Sequence, residues 1–458
     1  MKEALLIALS ERIDNVQEQT MRRLTAISAA LISALSIHAQ AQTLSGVYQD
    51  ALENDYQLKI AQSELNAVIE DESVAWAGVK PTVTAGGSLM NNSPDGTYQG
   101  SDFGDNYNQA QLALTVTQPL LNVGNIAQIG VAEATTEKAR YEYQTAEMDL
   151  MVRVTEAFFG VLRAQDNLTS AQAQEKAIKR QLEQARQQFK VGLIPITGVN
   201  EAQAAYDGAR AARIGAEGAL LISEESLQLL TGKSYGKLDT LAEDFPVESP
   251  QPATVQYWID LALANNLDVK AAQKQTDVAT TAVKAAKSAY LPYINAKAEL
   301  SYQNTDSSAE TDMTNLALGL EMGWQIYAGG STSANIRKVG HYLNQSEQGL
   351  ELQRRSTALN ARSYYIQVTT SVQQVEARRQ ALLSSESALR ATRSGYEVGT
   401  RNIVDVLQAE QAYYSAQTSY LDTRYSYLIS MIKLKQAAGT LKQDDIVALD
   451  QWLQKKAG

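Results

Sequence analysis

The sequence predicts a mixed, mainly α-helical fold with an internal two-fold repeat of long antiparallel coiled-coil hairpins and β-hairpins. Three observations predict it. The sequences FKVG and YEVG begin at positions 189 and 396, a separation of 207 residues. Long segments without proline carry apolar residues at heptad spacing, which is typical of coiled coils. Two pairs of shorter segments alternate between apolar and polar residues, which is the period of a half-buried strand.

The similarity between the two halves extends beyond the Val-Gly turns. LLTG ends at Gly232 and QAAG ends at Gly439, again a separation of 207 residues. Earlier in the chain the separation is 211 residues, as from Pro81 to Pro292. A repeat of this length determines the organisation of the whole chain, so it also places the domain boundaries.

The predicted organisation has five parts. Residues 1–41 form an upstream extension and a signal peptide. Two structural repeats span residues 42–232 and 256–440, and each contains a helix, a β-hairpin and a coiled-coil hairpin. Residues 233–255, which include three prolines, are interpreted as an exposed connection between the repeats, at the equator of the molecule. Residues 441–458 form a C-terminal segment.

The composition excludes several function classes. The 458 residues include 40 basic and 51 acidic side chains, for a net charge of −11, which argues against nucleic acid as the main partner. The absence of cysteine excludes disulfides, thiolate metal sites, a cysteine nucleophile and a lipid-modified N-terminal cysteine. Proline is rare, with 8 residues, and this favours long uninterrupted helices.

The N-terminus has the pattern of a secretory signal peptide. Arginines at 22–23 precede an apolar run over 24–37, and Ala-Gln-Ala follows at 39–41. The pattern places the start of translation at Met21 and the mature N-terminus at Gln42. The alternative is an ordinary amphipathic helix. No later apolar stretch reaches about 18 residues, so the sequence predicts no transmembrane helix.

Two β-hairpins are predicted, over residues 81–120 and 292–327. The first includes a polar loop over residues 91–108. The alternating apolar positions are Val83, Ala85, Gly87, Leu89, Ala110, Leu112, Leu114 and Val116 in the first hairpin, and Ile294, Ala296, Ala298, Leu300, Tyr302, Leu316, Leu318, Leu320, Met322 and Trp324 in the second. Each strand has about ten residues, the length that crosses a bilayer at a tilt. The alternative is a soluble sheet packed on a core.

Two long helical rods follow the β-hairpins. Residues 126–190 and 334–396 contain no proline, and at about 1.5 Å per residue each rod is roughly 100 Å long. Each rod turns at Val-Gly and returns, which gives coiled-coil hairpins over 126–231 and 334–438. The predicted seam consists of Ala171, Ile178, Leu182, Ala185 and Phe189 in the first hairpin, and Leu407, Tyr414, Leu421 and Leu428 in the second.

One chain supplies four strands, which are too few for a membrane barrel. Open strand edges in lipid leave backbone groups unpaired, and the smallest transmembrane barrels have about eight strands. Several copies must therefore pool their strands. Four aromatic residues near the strand ends fit a membrane interface: Tyr290, Tyr293, Trp324 and Tyr327. Three hypotheses follow: an outer-membrane conduit, a periplasmic helical adaptor or scaffold without a pore, and a surface hydrolase on a barrel.

Several short sequences carry a resemblance to a known family. They are ALENDYQL at 51–58, ALANNLDV at 262–269, AYLP at 289–292, and VGTRNIVDVLQA at 398–409. Over about residues 44–440 the chain resembles the outer-membrane efflux proteins. The resemblance implies a homotrimer with a 12-stranded β-barrel in the outer membrane and a 12-helix α-barrel through the periplasm. It also implies efflux of small molecules or type I protein secretion, with a periplasmic adaptor and an inner-membrane pump or ABC transporter as partners.

The resemblance also assigns roles to residues at the two Val-Gly turns. Those matching the adaptor-contacting tips are Gly192, Leu193, Gly399 and Thr400. Those matching the gate that closes the tunnel entrance are Thr197, Tyr396 and Arg401. Asp405 matches one of two acidic rings at the constriction, where carboxylates would attract cations. Gly198 and Gln408 depart from the family pattern, in which both positions are aspartate.

The sequence offers little for an enzyme. Histidine occurs only at His38 and His341, which nearly excludes a histidine-based triad or metal cluster. TGKS at 231–234 lacks the earlier glycine of a phosphate-binding loop and follows a helix rather than a strand, so we interpret it as chance. We therefore expect no catalytic residue, no cofactor and no metal.

Overall fold

A computed structural model describes residues 43–93, 95–98, 101–103, 106–236, 238–242, 244–306 and 311–454. The predicted signal peptide and the mature N-terminus at Gln42 lie outside these residues. The described chain is mainly helical, with antiparallel strands, as the sequence predicts. None of its helices is both long and apolar enough to cross a membrane.

The first half of the chain runs from helix to strand to long helix. Its elements are α1 (Leu44–Asn54), α2 (Tyr56–Ala77), β1 (Thr82–Asn92), β2 (Gly96–Tyr98), β3 (Ser101–Phe103), β4 (Tyr107–Leu121), α3 (Val123–Lys190) and α4 (Ile196–Thr231). The prediction of a polar loop between β1 and β4 is thus partly wrong, because β2 and β3 pair within this segment as a short antiparallel ribbon.

The second half also has two short helices, two long strands and two long helices in this order, with a short strand before them and a short helix and strand after them. Its elements are β5 (Thr240–Leu241), α5 (Val255–Asn265), α6 (Leu267–Lys287), β6 (Tyr293–Asp306), β7 (Thr311–Gly323), α7 (Ser331–Glu397), α8 (Ile403–Ala437), α9 (Gln443–Asp450) and β8 (Leu453–Gln454). In each half the two short helices are separated by one polar residue, which caps the second helix. The side chain of Asp55 accepts a hydrogen bond from the Leu58 amide, and that of Asn266 accepts one from the Val269 amide.

The main sheet has the antiparallel order β1-β4-β6-β7. Its register sets Leu89 opposite Ala110, and Leu112 opposite Tyr302. Side chains of paired residues point to the same face of a sheet, so the predicted apolar positions of all four strands share one face. That face is exposed: Leu318, for example, is 75% accessible to solvent. A soluble sheet packed on a core would have buried it.

The long helices form two antiparallel hairpins. The first hairpin is α3 with α4, the second is α7 with α8, and α3 also packs against α8. With 68 residues, α3 is about 100 Å long at 1.5 Å per residue. The apolar seams are buried at Ile178, Leu182 and Ala185, whereas Phe189 is 42% exposed because it lies at the hairpin end.

The core of the described chain lies midway along the hairpins. It includes Phe158 and Phe159 of α3, together with Tyr425 and Leu428 of α8. The Phe159 and Tyr425 rings are 5.9 Å apart between centroids. Aromatic and aliphatic side chains therefore join the two hairpins at their middle.

The connection between the halves packs on this core at residues 238–242 and 245–247, so its interpretation as an exposed linker is partly wrong. Leu238 and Ala242 are buried, and β5 pairs with β8 near the C-terminus. The Arg424 guanidinium donates to the carbonyl of Ala242, and the Tyr427 hydroxyl donates to the carbonyl of Glu248 at 2.8 Å. Buried donors from α8 thus hold the segment, and composition alone does not reveal such tertiary contacts.

Candidate functional site

The two hairpin ends, which we call the tips, span residues 189–197 and 396–404. They share one backbone geometry. Gly192 has φ +75° and Gly399 has φ +80°, which is the left-handed region that favours glycine. The amide of Leu193 bonds to the carbonyl of Gln188 and that of Thr400 to the carbonyl of Gly395. Both tips are therefore Schellman turns, which explains why the chain uses Val-Gly twice.

Apolar side chains protrude from both tips. Leu193 is 73% exposed, Val191 is 70% exposed and Val398 is 75% exposed. The positive φ of the turn explains why each tip has a glycine. It does not explain the three exposed aliphatic side chains, which do not contribute to the core of the described chain. An exposed apolar group of this kind is typical of an interaction surface.

The tips lie against each other across the two hairpins. Ile403, at the start of α8, packs in one cluster with Ile178 and Leu182 of α3. Gly198 is buried there, and a Cβ atom added to it would lie 3.4 Å from the Ile403 side chain. Gly198 thus lies at the contact between α4 and the start of α8.

Tyr396 bonds to α3, and its partner is a residue that the sequence did not single out. Its hydroxyl donates to Gln188 Oε1 at 2.5 Å. Burial raises the pKa of Tyr396, so the hydroxyl stays a donor at neutral pH. Gln188 lies one residue before Phe189, and only the packing of α7 on α3 identifies it.

The other gate residues make fewer contacts within one chain. Thr197 is exposed on the first turn of α4. Arg401 is exposed, and its aliphatic carbons pack beside Gly395. Within the described part of one chain neither side chain forms a hydrogen bond or an ion pair. Thr400 Oγ1 donates to the carbonyl of Gly395 at 3.0 Å, which closes its own turn.

Asp405 caps a helix. Its Oδ2 accepts from the Asn402 amide at 3.1 Å, and the Asn402 side chain accepts from the Asp405 amide at 2.9 Å. This reciprocal pair is a capping box, which satisfies free amides at the start of α8. The carboxylate is half-exposed, and Gln408 one turn later is exposed.

A buried carboxylate lies above the tips. Glu410 of α8 is fully buried, and its Oε1 accepts from Arg393 Nη2 of α7 at 2.7 Å. Gln181 Nε2 of α3 also lies 3.4 Å from that oxygen. Glu410 Oε2 has no hydrogen-bond partner among the described residues. The sequence analysis did not identify this group.

At the opposite end of the molecule, aromatic residues gather where the sheet meets the helices. Trp324 Nε1 donates to the carbonyl of Tyr290 at 3.0 Å, and both residues are partly exposed. Tyr293 lies opposite Gly323 in the register of β6 and β7, and its ring covers that glycine. Tyr327 is 82% exposed. These amphipathic side chains border the exposed apolar face of the sheet.

The chain matches a protein-family model described as outer membrane efflux protein, over residues 47–233 and 258–440. It belongs to that family. The match spans both halves of the chain and leaves out the buried connection between them. As an outer-membrane efflux protein, the chain is an efflux or secretion channel located in the outer membrane.

Curated relatives of this efflux protein carry corresponding descriptions. It is 32% identical over 432 residues to the outer membrane protein TolC of Vibrio cholerae, covering 93% of this chain and 97% of the relative. It is 30% identical over 443 residues to the alkaline protease secretion protein AprF of Pseudomonas aeruginosa, covering 93% and 91%.

Solved structures share the fold. The outer membrane channel CmeC of Campylobacter jejuni superposes with a TM-score of 0.76, at 16% identity, over 90% of each chain. These findings support the channel hypothesis. They give no support to the periplasmic scaffold or to the surface hydrolase.

Proposed function

We propose that this efflux protein works as a homotrimeric channel-tunnel. The observation that carries the proposal is the four-stranded sheet with an exposed apolar face. Its outer strands β1 and β7 each have one neighbouring strand among the described residues. In lipid such edges need partners, and three copies would join β7 of one to β1 of the next. This gives twelve strands around a polar interior, and outer-membrane lipid around the apolar face.

The two halves of the chain are structural repeats in this proposal. Residues 42–232 and 256–440 each supply one coiled-coil hairpin, so three copies supply twelve helices. These form a tube that projects from the membrane into the periplasm. The packed connection, residues 233–255, lies at its equator beside the C-terminal segment, residues 441–458. In this proposal the tube conducts passively and holds neither a catalytic site nor a cofactor.

The tips form the entrance of the tunnel. Leu193 and Gly192, with Gly399 and Thr400, meet a periplasmic adaptor protein, which would cover the exposed aliphatic side chains. Thr197, Tyr396 and Arg401 act as the gate. Because Arg401 is exposed and bonds to no group among the described residues of its own chain, its partner in the gate would come from a neighbouring copy. Three Asp405 carboxylates form the acidic ring.

The energy for transport comes from another protein. An inner-membrane pump or ABC transporter, linked through the adaptor, would drive the flux and select the cargo. Relatives of this chain include an alkaline protease secretion protein, AprF, and a cation efflux system protein, CusC. Drugs or other small molecules and secreted proteins are therefore both proposed cargoes.

Single-channel recording tests the proposal. The mature protein, purified in detergent, should insert into a planar bilayer and give a small, steady, cation-preferring conductance. Cross-linking in detergent should give a trimer. A monomer that is soluble without detergent and never inserts would contradict the proposal.

A deletion strain then separates the two classes of cargo. Drug sensitivity of the strain would indicate efflux, and loss of an extracellular protein would indicate secretion. Restoring the gene should reverse either phenotype. A strain that shows neither would count against both cargoes.

A further inference from the structure

The two edges of the sheet continue into two helices of opposite direction. Helix α2 runs toward the sheet and ends at Ala77, shortly before β1, whereas α7 begins at Ser331, shortly after β7, and runs away from the sheet. The helices pack in the same order as the strands, α2 on α3, α3 on α6 and α6 on α7. One copy therefore ends in α2 at one edge and in α7 at the other. Where β7 of one copy joins β1 of the next, these two helices come side by side and antiparallel.

Each of the two edge helices has an exposed face on which residues recur every seven positions. On α2 the series is Tyr56, Ser63, Glu70 and Ala77, and on α7 it is Leu352, Gln345, Lys338 and Ser331. All eight residues are exposed. Residues seven apart lie on one face of a coiled-coil helix. Tyr56 is 74% exposed and Leu352 is 69% exposed, so each edge presents a large apolar side chain to solvent.

The two series match position by position when they are counted from the sheet. Glu70 lies 7 residues from the end of α2 (77 − 70), and Lys338 lies 7 residues from the start of α7 (338 − 331). Tyr56 and Leu352 each lie 21 residues from the same ends (77 − 56 and 352 − 331). At 1.5 Å per residue these distances are about 10 Å and about 30 Å. An acidic residue is thus level with a basic one, and an apolar residue is level with another apolar one.

The two charged residues of the series have no ion-pair partner within their own copy. Among the described residues, Glu70 and Lys338 each form neither a salt bridge nor a side-chain hydrogen bond. Other exposed charges of α7 do pair locally, as Arg355 with Glu351. Charges beside the seam of a coiled coil determine which helices pair and in which direction. The two edges of one copy therefore complement each other in charge as well as in apolar side chains.

We propose that Glu70 of one copy binds Lys338 of the next in an antiparallel seam of α2 and α7, where Tyr56 packs on Leu352, and that this charge match selects the chain as its own partner. The inference rests on the trimer proposed above and adds the residues by which one copy recognises another. A single exposed ion pair stabilises little, but a closed ring of three copies contains three of them. Like charges at the same place would act against a wrong partner.

Exchange of the two charges tests the pair. Glu70→Lys places two ammonium groups at each junction, and Lys338→Glu places two carboxylates there. Each variant should convert from trimer to monomer in detergent at a temperature several degrees lower than the unaltered protein. Glu70→Lys with Lys338→Glu in one chain restores opposite charges and should restore that temperature. Glu64→Lys, on another exposed face of α2, changes the net charge equally and should leave the temperature unchanged.

Co-expression of two differently tagged copies tests the selection of partners. Glu70→Lys copies repel one another, and so do Lys338→Glu copies, but every junction between the two kinds carries opposite charges. Mixed trimers should therefore exceed the proportion that two tagged unaltered copies give, and the excess should shrink as the salt concentration rises. An unchanged proportion of mixed trimers would overturn the charge match.

A covalent bridge tests the apolar part of the seam. The chain has no cysteine, so Tyr56→Cys with Leu352→Cys should give a disulfide-linked trimer under oxidising conditions. Tyr56→Cys with Ile366→Cys is the matched control. Ile366 lies on the same exposed face of α7, 14 residues farther from the sheet (366 − 352), which is about 21 Å, so this variant should not be linked. Equal linking in both variants, or linking in neither, would overturn the seam.

The unaltered protein separates this inference from the proposed function. If it is a trimer in detergent while the charge and cysteine variants behave like their controls, the seam is wrong and the channel-tunnel stands. If it is a monomer in detergent, the proposed function fails.

Discussion

The Tyr396 hydroxyl donates a 2.5 Å hydrogen bond to Gln188 Oε1 and joins α7 to α3 at the last turn of both helices. Tyr396→Phe removes this bond and keeps the ring. A neutral hydrogen bond contributes about 1 kcal/mol, which is roughly a fivefold change in an equilibrium constant. We expect a several-fold higher conductance in planar bilayers.

The control for Tyr396→Phe comes from the same cluster. Tyr206 packs against the same apolar cluster as Tyr396, and its hydroxyl bonds to no group of the described residues. Tyr206→Phe should therefore leave the conductance unchanged. If Tyr396→Phe also leaves the conductance unchanged, the bond from Tyr396 to Gln188 does not keep the entrance closed.

The glycine of each tip allows a test of the turn itself. Gly399 has φ +80°, and a left-handed conformation costs other residues about 1–2 kcal/mol. Gly399→Ala should lower the melting temperature by a few degrees. Gly340 lies inside α7, with nothing within 4 Å of an added Cβ atom. Gly340→Ala should raise stability by about 1 kcal/mol, because alanine is the better helix former. The two substitutions should therefore shift the melting temperature in opposite directions. Equal shifts would show that the positive φ of Gly399 does not require glycine.

Asp55 gives the protein a specific sensitivity to acid. Burial raises the pKa of its carboxyl, but hydrogen bonds from the Arg153 guanidinium and the Leu58 amide outweigh burial and hold the pKa below its usual value. A carboxyl with a lowered pKa stabilises the fold above its unfolded pKa, near 4, and this contribution is lost as the pH falls through the folded value. Melting curves from pH 7 to pH 3 should show the loss.

Asp55→Asn isolates the ion pair, because asparagine still caps α2. The ion pair with Arg153, whose two hydrogen bonds measure 2.8 and 3.0 Å, is lost, because the neutral amide offers one acceptor oxygen in place of two charged ones. We expect a loss on the order of 2 kcal/mol in the free energy of unfolding at pH 7. The difference in the free energy of unfolding between Asp55→Asn and the unaltered protein should become smaller as the pH is lowered toward 3. Asp71→Asn, on the exposed face of α2, is the control. A difference that stays constant with pH would mean that Asp55 acts by packing alone.

Local sequence signals predicted the long helices, the main strands and the turns. The contacts between segments that are distant in sequence are seen only in the structure. Val-Gly marks the turns because a glycine must take positive φ there, and α3 ends at Lys190 beside it. Strand alternation predicted the exposed apolar face, since its period is set by the backbone alone. The packing of residues 233–255 depends on buried donors of α8, and no local pattern reveals them.

The candidate site divides in the same way. Tyr396 and Asp405 follow from the tip sequence and its family resemblance. Gln188 and Glu410 were missed, because their roles arise only when α3 packs against α7 and α8. Only the structure shows that the face of α3 that carries Gln188 meets a second hairpin rather than water.

The acidic ring can be tested without disturbing the helix that carries it. Asp405→Asn keeps a side-chain oxygen for the Asn402 amide, so the start of α8 stays capped. Three carboxylates at the entrance would be neutralised at once in a trimer. The reversal potential under a salt gradient should move toward zero, because fewer cations are attracted to the constriction. Asp71→Asn, far from the tips along the chain, should keep the original reversal potential. An unchanged potential in Asp405→Asn would show that its carboxylate acts as a helix cap and plays no part in ion selection.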